Sequence, residues 1–146
     1  MSTDTQTSVR ISRVINADPK TLFRAWTEPE QLKRWSCPEG TTLAEVAVDL
    51  TVGGRYRLRM EAPDGTVHTA VGVYREIEAP RRLVYTWGWE EEDYDVGETL
   101  VTVDFHDRGG ASEVVLTHEL FPNAEATAQH TEGWTSCFNR LDGMLA

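Results

Sequence analysis

The chain of 146 residues is 40% hydrophobic and 26% charged, the make-up of one globular domain with its own core rather than of a disordered or fibrous chain. With 14 Lys and Arg against 24 Asp and Glu the formal net charge is -10, which repels phosphate backbones and anionic lipid and removes nucleic acid from the expected partners. No stretch approaches the ~20 apolar residues of a membrane span, and the opening residues lack the apolar segment of a secretory signal, so a cytoplasmic protein without membrane insertion is expected.

Ser8 to Ile15 alternates Val9, Ile11 and Arg13 against Arg10, Ser12 and Val14, the pattern of a first strand; residues 1–7 before it are expected as a flexible tail. Asp18-Pro19 pairs an N-cap carboxylate with proline at the first helical position, and Leu22, Phe23, Ala25 and Trp26 follow on one face. Thr27-Glu28-Pro29-Glu30 repeats that start signal, and Leu32 with Trp35 gives a second short helix. The period then changes to two. Strands are expected over Ala44 to Asp49, over Arg55 to Glu61 after the Gly53-Gly54 turn, and over Thr66 to Glu78 after Pro63-Asp64-Gly65. Beyond Pro80, Leu83, Tyr85, Trp87 and Trp89 line one side of another strand, which runs into the acidic loop Glu90-Glu91-Glu92-Asp93. Glu98 to His106 and Glu113 to Leu120 read as a hairpin around Gly109-Gly110. After Pro122-Asn123 one helix runs almost to the end, with the stripe Ala126, His130, Trp134, Cys137, Phe138, Leu141, Met144 and Leu145.

A long antiparallel sheet must cover its apolar face, and only the C-terminal helix is large enough to do so. The expected fold is therefore α+β: a curved seven-stranded sheet gripping that helix, with two short helices after the first strand. A sheet so bent leaves room for a cavity, whose walls would be Tyr56, Leu58, Met60, Leu83, Tyr85, Trp87, Leu116 and His118 from the strands and His130, Trp134, Phe138 and Leu141 from the helix.

The words Asp18-Pro19 to Trp26, Thr27-Glu28-Pro29-Glu30 to Trp35, Asp49-Leu50 to Gly53-Gly54-Arg55-Tyr56, Gly72 to Tyr74 with Glu76-Ile77, Arg82 to Trp87, Thr117-His118 and Gly133-Trp134 resemble the SRPBCC, or START-like, superfamily. Within it they are similar to the bacterial branch related to the C-terminal domain of the activator of heat-shock protein 90 ATPase. The resemblance spans about Val9 to Leu145. It implies the helix-grip fold, also described as birch-pollen-allergen-like, and a cavity for a small hydrophobic or amphipathic ligand. It also implies that Trp89 and Tyr94 lie near the cavity opening. It does not name a chemistry, because that superfamily hosts lipid carriers, ligand binders and polyketide cyclases alike.

Residue chemistry narrows this little. His68, His106, His118 and His130 show no metal-ligand spacing, there is no nucleophile elbow or phosphate loop, and no base is placed beside Ser36, Cys37, Ser136 or Cys137. No metal and no cofactor are expected. His118 and Tyr85 are the candidate catalytic or orienting groups, with His130 one turn before Trp134; the plainer role for each histidine is a core imidazole satisfied by hydrogen bonds. Arg55, Arg57 and Arg59 are expected on a solvated face with cross-strand acidic partners, and Cys37 and Cys137 as buried free thiols. Three functions compete: ligand binding, a cyclase- or hydratase-like enzyme in the same cavity, and a chaperone-partner module, which ranks last. Homodimerisation through a sheet edge stays open.

Overall fold

In the computed structural model of the protein, residues 7–91 and 97–145 are described. The elements follow the expected order: β1 Val9–Ile15, α1 Pro19–Thr27, α2 Pro29–Trp35, β2 Thr42–Val48, β3 Arg55–Glu61, β4 Val67–Glu78, β5 Arg82–Trp89, β6 Thr99–Asp107, β7 Ser112–Glu119 and α3 Ala124–Leu145. The strands form one antiparallel sheet of seven in the order β1-β7-β6-β5-β4-β3-β2, so successive strands are neighbours and β1 closes back onto β7. The tail expected over 1–7 falls outside the described residues except for Thr7, whose carbonyl accepts from the Phe121 amide.

The local signals act as their chemistry requires. Asp18 Oδ1 accepts from the Thr21 amide at 2.8 Å and caps α1, with Pro19 in the first turn. Asn123 does the same for α3, accepting from the Ala126 amide at 2.8 Å. Gly53, Gly65, Gly109 and Gly110 all hold positive φ at the expected turns. Leu120 departs from expectation: it has φ 75° and is 63% exposed, so β7 ends one residue early and the chain turns Phe121 back into the core.

Two irregularities bend the sheet. One lies between Leu43 and Glu45 in β2, the other between Tyr74 and Glu76 in β4. The second also changes which side chains point inward along β4. Val71 and Val73 pair with Arg57 and Arg55 on the outer face, whereas Ala70 and Tyr74 are buried. Ile77 then packs against the core beyond the bulge.

The concave face closes on α1, α2 and α3. Trp26 stands at the junction, with ring centroids 4.4 Å from Trp35, 5.5 Å from Phe105 and 5.7 Å from Phe138. The stripe expected on α3 faces inward: Ala126, Trp134, Cys137, Phe138 and Leu141 are buried, and Met144 and Leu145 pack at its end. On the convex face Arg57 pairs with Glu45 on β2 and with Glu90 just beyond β5, and Arg59 with Glu45, the solvated cross-strand pairs expected of Arg57 and Arg59, while Arg59 also pairs with Glu61 on its own strand.

Candidate functional site

Of the twelve residues expected to wall a cavity, all but His130 are buried, and His130 is half-buried. Their surroundings differ. Beside α3 the space is filled by rings: Trp134 lies 5.4 Å from Trp87 and 6.5 Å from Phe138, while His118 lies 5.6 Å from Trp87 and 6.1 Å from Trp134 between centroids. Leu83, Leu116, Phe138 and Leu141 are wholly removed from solvent, and Met60 nearly so. The reason is volume, since large aromatic side chains converge from both β5 and α3 and interlock at native packing density.

Four of the twelve, Tyr56, Leu58, Tyr85 and Trp87, line a void further toward the edge of the sheet. Trp26, Leu32, Ser36, Val48 and Tyr74 complete its wall, and it holds about 20 Å³. That is room for one water molecule. The void therefore lies under α1 and α2 rather than against α3. Five of its lining residues come from β3, β4 and β5, whose pairing fixes them; Trp26 comes from α1, Leu32 from α2, Ser36 from the C-cap of α2 and Val48 from the edge strand β2. Trp26, Leu32, Ser36, Val48 and Tyr74 were not singled out as cavity residues in the sequence. The alternation Gly72–Tyr74 carried the signal for Tyr74, masked there by the more hydrophobic Val71 and Val73.

Several polar groups around this interior are paired with one another. Trp134 Nε1–H donates to His118 Nδ1 at 3.0 Å, and an indole can only donate, so His118 is neutral with its proton on Nε2. That proton goes to Thr99 Oγ1 at 2.7 Å, and the Thr99 hydroxyl donates to the Trp87 carbonyl at 2.8 Å. Burial, with His130 close by, drives the His118 pKa down to about 2. His130 is fixed likewise: Trp89 Nε1–H donates to its Nε2 at 3.1 Å, leaving Nδ1–H for the Ala126 carbonyl at 2.8 Å. Its pKa is also lowered, by burial, against a smaller opposing effect of the Ala126 hydrogen bond. Phe121, unanticipated, stacks on both imidazoles at 4.3 and 4.6 Å.

Tyr85 accepts from Trp26 Nε1–H at 3.2 Å, and burial raises the pKa of Tyr85, Tyr56 and Tyr74, so all three phenols stay protonated at neutral pH. The Tyr56 hydroxyl donates to the Thr86 carbonyl. Thr86 in turn offers Oγ1 to the Val73 amide at 2.8 Å, replacing a ladder bond where β4 and β5 part around the Tyr56 ring. Trp87 Nε1 is different. Among the described residues it is the buried side-chain polar atom left without a hydrogen-bond partner, although Trp87 is only 5% exposed.

Elsewhere the structure offers less. A shallow groove of about 610 Å³ crosses the convex face past Arg55, Val71, Val73, Gly88 and Glu98. Among the described residues no group of three or more His, Cys, Asp or Glu is placed to hold a metal. No helix there is long and apolar enough to cross a membrane. Trp89 lies at the end of β5 against His130, Trp87 and His68, whereas Tyr94 and, of the acidic loop, Glu92 and Asp93 lie outside the described residues.

A curved antiparallel sheet of seven strands closed by a long C-terminal helix, with two short helices after the first strand, defines a helix-grip protein of the START-like class. The chain belongs to the family described as "Activator of Hsp90 ATPase homolog 1-like protein", which matches residues 16–146. Among solved structures it is similar to protein CV1439 from Chromobacterium violaceum, with TM-score 0.88 and 26% identity over 95% of this chain and 96% of that one. The AHSA1 protein SPO3351 from Silicibacter pomeroyi superposes with TM-score 0.84 and 26% identity, covering 94% and 96% of the two chains. A protein from Arthrobacter aurescens gives TM-score 0.83 and 26% identity, covering 97% and 87%. No curated protein matches the chain.

Proposed function

We propose that the protein binds a small hydrophobic or amphipathic molecule in its interior, at the aromatic void beneath α1 and α2. The observation that carries the reading is that void: a largely apolar pocket whose wall includes Trp26, Tyr56, Tyr74, Tyr85 and Trp87. At about 20 Å³ it has room for one water molecule, so binding of anything larger requires the wall to move. The wall most free to do so is the outer one. β2 is the edge of the sheet and is interrupted by its bulge, and α2 is a seven-residue helix whose cap residue Glu28 supplies no side-chain hydrogen bond. We take the protein as cytoplasmic, supported by its two unpaired buried cysteines.

A cyclase- or hydratase-like reaction draws no support from His118, whose two ring nitrogens are both committed. The family's description names an activator of a chaperone ATPase, and a chaperone contact of this chain is tested by retention on the bacterial chaperone and by its ATPase rate. The test of the main reading is native mass spectrometry of the protein from its own source, followed by denaturing extraction and by titration of the emptied protein with apolar fluorophores. A stoichiometric apolar passenger or saturable binding is expected. An empty protein that takes up no probe overturns the reading.

A further inference from the structure

The groove on the convex face of the sheet, at about 610 Å³, has the size of a small-molecule site, and two of its residues are unlike those of an ordinary solvated face. The first is Gly88, in the interior of β5. Glycine weakens a strand there, because it brings no side chain to pack and loses the most conformational freedom on folding. Nothing local requires it. Gly88 is not among the glycines at positive φ, and a Cβ built on it would meet only the Gly97 carbonyl, at an ordinary 3.7 Å. Its effect is to leave the floor of the groove bare. Val71, its partner across the ladder, and Val73 lie half-buried in that floor.

The second is Arg55, which stands in register with Val73 and lines the apolar part of the groove. Of the four charged residues in the lining, Arg57 is held by Glu45 and Glu90, and Glu98 by Arg75 at 3.6 Å. Arg55 has no ion pair among the described residues. An unpaired arginine on a surface is ordinary by itself; here it stands over two valines and a floor that a glycine keeps open.

The occupant follows from these features. The unpaired cation calls for an anion, and the valine floor for an apolar body. One guanidinium balances a single charge, which suits a carboxylate better than a phosphate monoester of charge near −2. An extended peptide would need an open strand edge, but β4 is paired on both sides, with β3 and β5. Where β4 and β5 part, the Val73 amide is taken by Thr86 Oγ1 at 2.8 Å.

We propose that this groove is a second binding site, for a small amphipathic monocarboxylate: Arg55 pairs with the carboxylate, and the apolar body lies over Gly88 against Val71 and Val73. It lies on the opposite face of the sheet from the interior void and shares only Tyr56 with that lining, so it does not rest on the reading above.

The test compares 2-naphthylacetate with 2-naphthaleneethanol, which has the same ring and a neutral head. Affinities are measured by NMR titration at neutral pH and 0.15 M salt, where the net charge of -10 is largely screened. The wild type should bind the carboxylate about three- to fivefold more tightly than the alcohol, with the backbone amides of Val71, Val73 and Gly88 shifting and those of Leu32 and Ser36 unmoved. Arg55→Gln, a change at an exposed side chain, should bring the two affinities together. Gly88→Val, which fills the floor, should weaken both probes severalfold. Equal affinities in the wild type, a preference that survives Arg55→Gln, or an unaltered affinity in Gly88→Val overturns the inference. So does the absence of binding by either probe, or binding that shifts the amides around the void and not those of the groove; that last outcome supports the interior reading, which the others leave standing.

Discussion

Trp134 on α3 donates its indole N–H to Nδ1 of His118 on β7 at 3.0 Å, in a fully buried contact. That bond ties the C-terminal helix to the far side of the sheet and fixes the tautomer of the imidazole, which passes its other proton to Thr99. The arrangement works as a structural bolt rather than as an acid or base, because every lone pair and proton on the ring already has a partner.

Trp134→Phe keeps most of the ring volume but strips His118 Nδ1 of its donor. Urea denaturation should register a loss of about 1–3 kcal/mol, the cost of an unsatisfied buried acceptor. Trp134→Ala adds a cavity and should cost about 3–5 kcal/mol. A loss near zero in both would remove the bolt.

Acid should weaken the fold before the carboxylates titrate. The folded pKa of His118 lies at about 2, below its ordinary value of 6.5, so the unfolded chain takes up the proton first. Stability is full above the unfolded value and falls as pH drops through it, at about 1.4 kcal/mol per pH unit for one such group. Between pH 6.5 and pH 5 the wild type should lose about 2 kcal/mol from His118 alone, with His130 adding in the same direction. His118→Gln should flatten that slope in denaturant titrations at the two pH values.

Two glycines predict opposite outcomes. A Cβ on Gly72 would collide with the Thr86 carbonyl and the Tyr56 ring where β4 and β5 part, so Gly72→Ala should destabilise by at least about 1–3 kcal/mol. A Cβ on Gly133, inside α3, meets nothing within 4 Å, so Gly133→Ala should stabilise by about 0.5–1 kcal/mol through helix propensity. Thermal melts of the two variants check both signs.

The thiols should be inert in the native state. Cys37 is wholly buried and Cys137 nearly so, and burial raises the pKa of Cys137, reinforced by Cys37 nearby and only partly offset by Arg140. Arg140 reaches instead to Cys37, donating to its carbonyl at 3.1 Å and to its Sγ at 3.0 Å. A thiol reagent should label neither cysteine within minutes in buffer and both in denaturant.

What the sequence determined by itself was the order and kind of the elements and which of their faces turn inward. Capping at Asp18-Pro19, glycines at the turns, period two in β3 and β5 and the stripe from Ala126 to Leu145 are local, and local chemistry reads directly from spacing. It did not show the bulge after Tyr74 in β4, across which the inward positions change phase from Ala70 and Tyr74 to Ile77, nor the turn at Leu120, whose positive φ no neighbour announces. Only the tertiary structure decided where space remains. Packing is a property of side chains brought together from distant positions, so whether Trp87, Trp134 and Phe138 leave a gap depends on how they interlock and not on any one strand's pattern. The same holds for hydrogen bonding: His118 and Trp87 both read as inward aromatic positions, and the partner that one found and the other lacks comes from folding alone.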